Sequence, residues 1–432
     1  MRTRMLFAAA AAALLLPGTA GAVDRLEYAT PGGETLVRSI VAVSREDLKQ
    51  FRVRAMIGGR KRRLDLATRY ILSFRRGSRD DINQWSKKLA NAYRLISTGQ
   101  LATKENVPGA EEVLQAITFS TEKGTRGQER TEAVQAWQTM YALFYLIDVR
   151  YEIGIRDDNK DKLQQALQDV DQFRRRTEAK RTLKWDVPGD AGTKETKIWA
   201  WGSTWLWPQV LLHKARIQRA LGDAAGAAAT FDQVADMAKK EVLSPHLIAE
   251  AVIGKATMEA AGKDSGAAEQ IYRSAGNKLR SGIGSQPDAY GKRVLRQAAN
   301  LALLKGADLL LASAAAKQVS YDVPLKRYQA LASAEGRTDP ALYAGAQAGI
   351  GICEVEQGAG GKAYKTLLWV VVNGYAYPEQ VQRALYYLGK AAPLFAKEIE
   401  AQGGDGATLR RAGERWQDDL KQRFPDSPWA KK

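Results

Sequence analysis

The amino-acid sequence predicts a mainly α-helical protein in which antiparallel helix hairpins follow a small N-terminal β module. Residues 23–77 alternate short β-rich runs with turn signals, whereas the chain from residue 78 onward places apolar residues at helical spacing. In the C-terminal half, glycines end several predicted helices, and a similar pattern of small and large apolar residues follows each glycine. The expected class is therefore α+β with helices dominant.

The first 22 residues have the composition of a secretory signal peptide. Arg2 and Arg4 precede an apolar run from Leu6 to Leu16, and a small-residue stretch ends at Ala22. The apolar run is shorter than the roughly 20 residues that a membrane-spanning helix needs, and no later apolar run reaches that length. We therefore expect cleavage near Ala22 and a periplasmic or secreted protein without a transmembrane span.

The chain is strongly basic, with 65 Lys and Arg against 48 Asp and Glu and a formal net charge of +17. Such a charge often indicates a nucleic-acid partner, but the predicted export argues against one. Anionic polymers or lipid headgroups of the cell envelope are the counter-charges that we expect instead. The other interpretation is that the charge only keeps the protein soluble.

Residues 23–77 are predicted to form four or five antiparallel strands. Within them, Phe51, Val53 and Ala55 alternate with polar neighbours, and pairs of glycines flank the β-rich runs. The basic run at 59–63 has two interpretations: a contact for phosphate or an anionic polymer, or a solvated hairpin tip.

Residues 78–182 are predicted to be a helical segment of divergent hairpins. Apolar residues recur at helical spacing from Ile82 to Ile96, and Gly99 ends that helix. A longer and more apolar helix is expected over 131–154, where it would be buried on more than one side. An antiparallel partner helix follows it.

The segment 183–197 is predicted to be a linker loop, because it contains Pro188, small turn residues and scattered charge. Four tryptophans follow within nine positions, namely Trp199, Trp201, Trp205 and Trp207. They have two interpretations: an aromatic plug that seals a packing junction, or a platform on which a ligand stacks. Their position between two helical regions favours the plug.

The region 198–432 is predicted to consist of helix hairpins with a capping helix at its C-terminus. Gly222, Gly262 and Gly358 each precede an Ala by five residues and a large apolar residue by nine. Glycine supplies the positive φ that ends the first helix, and Ala lets two helices approach closely. Gly306 is a candidate for a fourth turn of this kind.

These hairpins resemble tetratricopeptide (TPR) repeats, in which helix pairs stack into a superhelix. Gly222, Ala227 and Phe231 match the family's turn and second-helix positions, whereas Gln218 stands where the family usually has Tyr. The turn glycines lie 40 and then 96 residues apart, against the family's period of about 34, so the repeats are divergent. The C-terminal stretch resembles a capping helix, with Trp429 folding back onto the stack.

The resemblance implies a concave groove that binds a partner's peptide and is lined by the first helix of each hairpin. The implied lining includes four residues of the first hairpin, namely Gln209, Leu212, Arg216 and Arg219. The other hairpins would supply Ala249, Val252, Ala256, Glu259, Ala348, Ile352 and Val355. Together with the tryptophans, this gives the candidate partner-binding residues Gln209, Leu212, Arg216, Arg219, Glu259, Trp199 and Trp201.

No catalytic, cofactor or metal site is predicted. His213 and His246 have no acidic or nucleophilic partner at motif spacing, and no zinc-protease, serine-hydrolase or phosphate-loop motif occurs. The acidic run at 157–161 lacks the spacing of a calcium loop and is expected at a helix start. Cys353 is the only cysteine, so no internal disulfide can form, and its apolar neighbours predict a buried side chain.

The sequence therefore favours a non-catalytic exported scaffold or adaptor that binds a protein partner in the cell envelope. The alternative is a protein that binds an envelope polysaccharide or peptidoglycan through its basic and aromatic surface. An enzyme of unfamiliar type is the third possibility. Neither a cofactor nor a nucleic-acid partner is expected.

Overall fold

The chain is mainly α-helical with a small antiparallel sheet near its N-terminus, as predicted. It divides into two compact units: unit 1 comprises residues 1–30 and 34–213, and unit 2 comprises residues 31–33 and 214–432. The computed structural model describes residues 24–46, 50–75, 84–104, 107–118, 128–178, 182–188, 194–200, 205–334 and 339–431. The predicted signal peptide and its cleavage site lie outside these residues.

Unit 1 begins with a five-stranded sheet, which agrees with the predicted four or five strands. The strands are β1 (Asp24–Ala29), β2 (Thr35–Glu46), β3 (Gln50–Ile57), β4 (Arg60–Ala67) and β5 (Ile71–Arg75). Their order in the sheet is β4-β3-β2-β1-β5, and every neighbouring pair is antiparallel. A short 3-10 turn, Thr68–Tyr70, connects β4 to β5.

The alternation predicted for β3 is confirmed. Phe51, Val53 and Ala55 are fully buried on one face of the sheet, so the residues between them face the opposite side. The turn after β3 consists of Gly58 and Gly59, both with positive φ. The basic residues after this turn are exposed and form the first half of β4.

The remaining elements of unit 1 are largely helical. They are α1 (Gln84–Ser97), α2 (Ala110–Thr118), α3 (Gln128–Arg156), α4 (Lys160–Glu178), and the first half of α5 (Trp207–Ala220). As predicted, α1 is followed by Gly99 with a φ of 75°, and the long helix α3 packs against its partner α4. The acidic run 157–161 lies at the start of α4, as expected. Asn159 in this run accepts a hydrogen bond from the Lys162 amide.

A β-hairpin occupies the segment predicted to be a loop. Its strands are β6 (Thr182–Pro188) and β7 (Lys194–Ala200), paired antiparallel from Thr182 with Ala200 to Pro188 with Lys194. The prediction of a loop was therefore wrong. Threonines, a valine, an isoleucine and tryptophans lie among the charged residues, and these side chains favour strands.

Unit 2 is a series of helix hairpins. After the second half of α5, its helices are α6 (Ala224–Lys240), α7 (Pro245–Ala260), α8 (Ser265–Ser281), α9 (Ala289–Ala315), α10 (Asp322–Ala334), α11 (Pro340–Glu356), α12 (Gly360–Asn373), α13 (Pro378–Ala401) and α14 (Ala407–Arg423). From α6 onward each helix packs against the next one in the chain. In addition, α7 contacts α9, α9 contacts α11, and α11 contacts α13, so the first helices of successive hairpins pack together.

The three predicted turn glycines are confirmed, with φ values of 87° at Gly222, 73° at Gly262 and 79° at Gly358. Gly306 was wrongly expected to be a turn, since it lies inside α9. A Cβ atom there would lie 3.4 Å from Cγ of Glu269 on α8, an ordinary contact distance, so this glycine lies where α9 packs against α8. Among the described helices, α9 alone has the length and hydropathy of a membrane span, and half of that stretch is buried in the protein.

The C-terminus folds back onto unit 2, as the sequence predicts. Helix α14 ends at Arg423, and Phe424 follows as its C-terminal cap. The ring of Trp429 then lies 5.3 Å from that of Tyr386 and 5.9 Å from that of Tyr387. These residues cover the core between α13 and α14, which contains Val381, Leu385 and Leu420.

Candidate binding surface

The predicted partner-binding residues differ in their exposure and in the contacts of their side chains. Gln209 and Leu212 belong to unit 1, and Leu212 is only 4% exposed. In unit 2, the guanidinium of Arg216 lies 2.6 Å from the carboxylate of Glu250. Glu259 is exposed and lies 3.8 Å from the ammonium of Lys255.

The remaining predicted binding residues are Arg219, Trp199 and Trp201. Arg219 is half-buried in the last turn of α5. Trp199 lies on β7, where its backbone is opposite Leu183, and Trp201 is outside the described residues. Four of the predicted residues thus share the single helix α5 at helical spacing, whereas Trp199 is on β7 and Glu259 on α7.

The apolar lining expected for a groove lies in the core of unit 2 instead. These positions are all between 0% and 7% exposed, and they are Ala249, Val252, Ala256, Ala348, Ile352 and Val355. Ala348 and Val355, for example, pack in one cluster with Leu367 of α12 and Leu388 of α13. Small side chains on a first helix let its neighbours approach closely, so the expectation that these residues line an open groove was wrong.

The described part of the tryptophan cluster fills a junction inside unit 1. Trp205 is 6% exposed, its ring packs edge-on against Phe51 at 5.5 Å, and its indole N–H donates to the Tyr141 hydroxyl at 3.0 Å. Trp207 stacks on Phe173 at 6.1 Å with an angle of 10° between the rings. For these two residues the plug interpretation is confirmed, and the junction joins the sheet to α3 and α4.

An exposed aromatic patch occupies one end of the hairpin formed by α11 and α12. Trp369 is 37% exposed, Val372 63% and Tyr375 79%, and the ring of Tyr343 packs edge-on against Trp369 at 4.8 Å. Together with Tyr377, these five residues are called the aromatic patch below. Large apolar side chains gathered on a surface commonly mark a site of interaction.

Three local features place the aromatic patch. Asp339 caps the N-terminus of α11 by accepting hydrogen bonds from the amides of Ala341 and Leu342, which fixes the turn that carries Tyr343. Gly374 ends α12 by donating to the Val370 carbonyl at 2.7 Å. Helix α13 then begins at Pro378, so the short connection between the helices keeps its tyrosines at this end of the hairpin.

One hydroxyl of the aromatic patch has a shifted pKa. Burial raises the pKa of the Tyr377 hydroxyl, and the nearby Asp339 and Tyr375 raise it further. Tyr377 therefore offers a ring face and a neutral hydroxyl group to a ligand. Such amphipathic rings are enriched in protein interfaces, where they supply contact area with little loss of conformational freedom.

A polar group links three helices, from two hairpins, of unit 2. The Tyr328 hydroxyl of α10 donates to Asp308 of α9 at 2.6 Å, and both terminal guanidinium nitrogens of Arg383 on α13 lie 3.2 Å from the same carboxylate oxygen. Burial lowers the pKa of Arg383, but Asp308 and Tyr328 outweigh it and raise that pKa above its ordinary value. We call this trio the helix staple, because it joins α9 to α13 although α11 packs between them in the series.

A second buried polar group lies in unit 1. Arg150 donates to Glu111 at 3.0 Å and to Asp169 at 2.7 Å, and Lys162 donates to Glu111 at 2.6 Å. Burial raises the pKa of Asp169 to about 6, although Arg150 opposes this shift. The carboxylates pair with cations of neighbouring helices, so the arrangement serves packing.

Cys353 and His213 belong to residue types that often act in catalysis, and both side chains are buried in the protein. Cys353 is fully buried, as predicted, and burial raises the pKa of its thiol to about 12. His213 is 8% exposed, with its ring edge-on to Phe144 at 5.7 Å and its Nδ1 atom 3.7 Å from Asp148. Within the described ranges, no group of three His, Cys, Asp or Glu side chains is placed to bind a metal ion.

The aromatic patch and the helix staple were not predicted from the sequence. A signal for the patch exists in the run Tyr375–Ala376–Tyr377–Pro378, which puts two tyrosines in a turn just after the tryptophan of α12. The staple has no such signal, because Asp308 and Arg383 are 75 residues apart. Comparison with known proteins adds no family: no family model matches the chain, and no curated protein is significantly similar to it.

Proposed function

We propose that the protein is an exported, non-catalytic scaffold and that unit 2 is a divergent TPR-like array that binds a protein partner. Two features support the repeat type: glycines with positive φ between paired helices, and contacts between the first helices of successive hairpins. Arrays of this kind use their surface for binding and not for chemistry. The predicted signal peptide supports a partner in the cell envelope.

The exposed aromatic patch is the observation that carries the proposal. Its Trp369, Val372 and Tyr375 are more exposed than large apolar residues normally are, and Tyr343 fixes the orientation of the Trp369 ring. Binding energy in protein interfaces is concentrated in Trp, Tyr and Arg side chains that become fully buried. We therefore assign the partner contact to this patch and not to the buried positions once expected to line a groove.

A photo-cross-linking experiment tests this assignment. A benzophenone amino acid is introduced at Tyr375 in the full mature chain, and the protein is irradiated in an extract of the cell envelope. We expect one discrete cross-linked protein, identified by mass spectrometry, and we expect its yield to fall when Trp369→Ala is added. The matched control carries the same probe at Val323, which is 42% exposed on α10 of the same unit.

Equal cross-linking from the Tyr375 and Val323 positions would contradict the proposal. So would a product whose yield does not depend on Trp369, because the patch would then not determine binding. Circular dichroism of each variant shows whether the helices are intact.

A glycan of the cell envelope is the second candidate ligand, and the pairing of Tyr343 with Trp369 is the observation that favours it. Aromatic ring faces pack against the apolar faces of sugar rings, and Trp369 is exposed enough to be reached. Tryptophan fluorescence, titrated with soluble peptidoglycan fragments, should then change in the wild-type protein and remain constant in the Trp369→Ala variant. No change at millimolar concentrations would exclude this candidate.

A further inference from the structure

We propose that the outer face and the exposed tip of the β3–β4 hairpin in unit 1 bind a linear polymer that carries phosphate groups. Residues 50–67 contain six basic side chains and one acidic side chain, and the structure gathers most of the basic ones on one surface. This proposal concerns another unit of the protein and does not depend on the function proposed for the aromatic patch.

The strand register determines which side chains share the outer face. Because Phe51, Val53 and Ala55 are buried on the inner face, Arg52 and Arg54 lie on the outer one. Their partners on β4 are Asp65 for Arg52 and Arg63 for Arg54, and Met56 pairs with Lys61. The outer face of the two strands therefore carries two rows of side chains, of which four are basic.

Asp65 is the only acidic residue between positions 50 and 67, and both of its carboxylate oxygens are bound by arginines. Asp65 accepts from Arg52 at 2.5 Å with one oxygen and from Arg63 at 2.9 Å with the other. These bonds and the positive charges lower the pKa of Asp65, so the carboxylate remains ionised and keeps both guanidinium groups oriented. One carboxylate cannot neutralise the remaining basic residues.

Lys61 of the outer face and two further cations, Arg60 and Arg62, lie at the tip of the hairpin and are available to a ligand. Arg60, Lys61 and Arg62 are all exposed, and none of them forms an ion pair with a carboxylate of the described part of the chain. Arg62 and Arg60 are paired with Ala55 and Ile57, so they lie on the inner side of the sheet but beyond its buried core, where both are exposed. The hairpin tip therefore carries cations on both faces.

Protection of the sheet edge does not explain this arrangement. Charged residues on β4 would discourage pairing of its free edge with another chain, and one or two such residues suffice for that. Arg52 and Arg54, however, lie on β3, which has a strand on both sides. Edge protection therefore does not account for these two arginines.

The side chains present favour phosphate as the anionic group. Five of the six basic residues are arginines, whose planar guanidinium groups can bind two phosphate oxygens at once. Along a strand, residues on one face are about 7 Å apart, a spacing that a chain of repeated phosphates can follow. The outer face of β3 and β4 has no aromatic ring, so it lacks the stacking surface with which proteins bind the bases of single-stranded nucleic acids.

Binding of inorganic polyphosphate to the full mature chain tests the proposal. Affinity is measured by isothermal titration at several salt concentrations for the wild type and for the Arg60→Gln/Lys61→Gln/Arg62→Gln variant, whose residues have no partner in the described fold. We expect the affinity of the variant to fall at least tenfold. The slope of log affinity against log salt should decrease by about 2, since each lost phosphate contact contributes about 0.7 for a single-stranded chain.

The matched control removes the same charge elsewhere, with Lys239→Gln/Lys240→Gln/Lys263→Gln at exposed positions of unit 2. An equal loss in both variants would overturn the proposal, because it would show that only net charge matters. Absence of wild-type binding would also overturn it.

Poly-glutamate and a single-stranded DNA of equal charge are the two further probes. Equal affinity for poly-glutamate would refute the phosphate preference, and tighter binding of DNA would make nucleic acid the ligand.

Discussion

The two units of the protein solve the problem of close packing in opposite ways. Unit 1 fills the space between its sheet and its helices with large rings, among them Phe51, Tyr141 and Trp205. Unit 2 instead brings its helices together on small residues: on α11, a Cβ atom at Gly349 would lie 2.4 Å from the Tyr328 ring, and one at Gly345 would lie 2.6 Å from Leu304. Unit 1 should therefore be sensitive to truncation of side chains, and unit 2 to their enlargement.

Trp205→Ala should have the largest effect on stability. It leaves a cavity against Phe51 and removes one hydrogen bond to the Tyr141 hydroxyl, so we expect a loss of about 3–5 kcal/mol in the free energy of unfolding. Urea denaturation followed by circular dichroism measures it. Trp205→Phe is the control, since it keeps a ring and loses only the hydrogen bond, at a cost of about 1–2 kcal/mol. A loss below 1 kcal/mol for the Ala variant would show that the junction does not depend on this ring.

The buried ionic group of unit 1 should make stability depend on pH. The pKa of Asp169 is raised from an ordinary value of 3.8 to about 6, so its protonated form is favoured by folding. Its contribution is complete below pH 4 and is lost as the pH rises through 6, by about 3 kcal/mol at most. We expect the wild type to lose stability relative to Asp169→Asn between pH 4 and 7. A constant difference across this range would contradict the raised pKa.

Arg383→Met tests how much the ion pair between Asp308 and Arg383 contributes to the stability of unit 2. Removing one partner of a fully buried ion pair costs about 3–5 kcal/mol, but the Asp308 side chain is 38% exposed, so we expect about 2 kcal/mol. The double variant Asp308→Leu/Arg383→Met leaves no unpaired charge and should lose less than the single one. If the double variant is the less stable of the two, the staple acts through packing and not through charge.

Gly349→Ala tests the packing of unit 2 by enlargement. The added methyl group would contact the Tyr328 ring, whose hydroxyl is fixed by Asp308, and the expected cost is about 1–2 kcal/mol. Gly266→Ala in the first turn of α8 is the control, because its nearest neighbour would be 3.3 Å away, at the end of the Asp264 side chain. That variant should change stability by less than about 1 kcal/mol. Equal costs at both positions would contradict the expectation that the close helix contacts of unit 2 are sensitive to enlarged side chains.

Local patterns in the sequence predicted the elements that depend on local physics. The period of two in β3, the turn glycines at Gly222, Gly262 and Gly358, and the burial of Cys353 all follow from residues close together in the chain. The error at Gly306 has a physical reason: a glycine that ends a helix and one that lets two helices touch are identical in sequence, and only the neighbouring helix distinguishes them.

The candidate site was predicted less well than the fold. Ala348 and Val355 were expected to line a groove because they lie on a first helix, but their exposure depends on how closely α12 and α13 approach. The helix staple depends on two side chains that are distant in the chain and meet only after three hairpins have packed. The aromatic patch needed the ends of α11, α12 and α13 to be placed together before its rings formed one surface.

The helix staple affects how unit 2 unfolds locally. When each hairpin of an array contacts only its neighbours, hairpins can open one at a time from the end of the array. The bond between Asp308 and Arg383 reaches from the hairpin of α9 and α10 to that of α13 and α14, past the one between them. The last three hairpins should therefore open together, and amide hydrogens across them should exchange with solvent at a common rate.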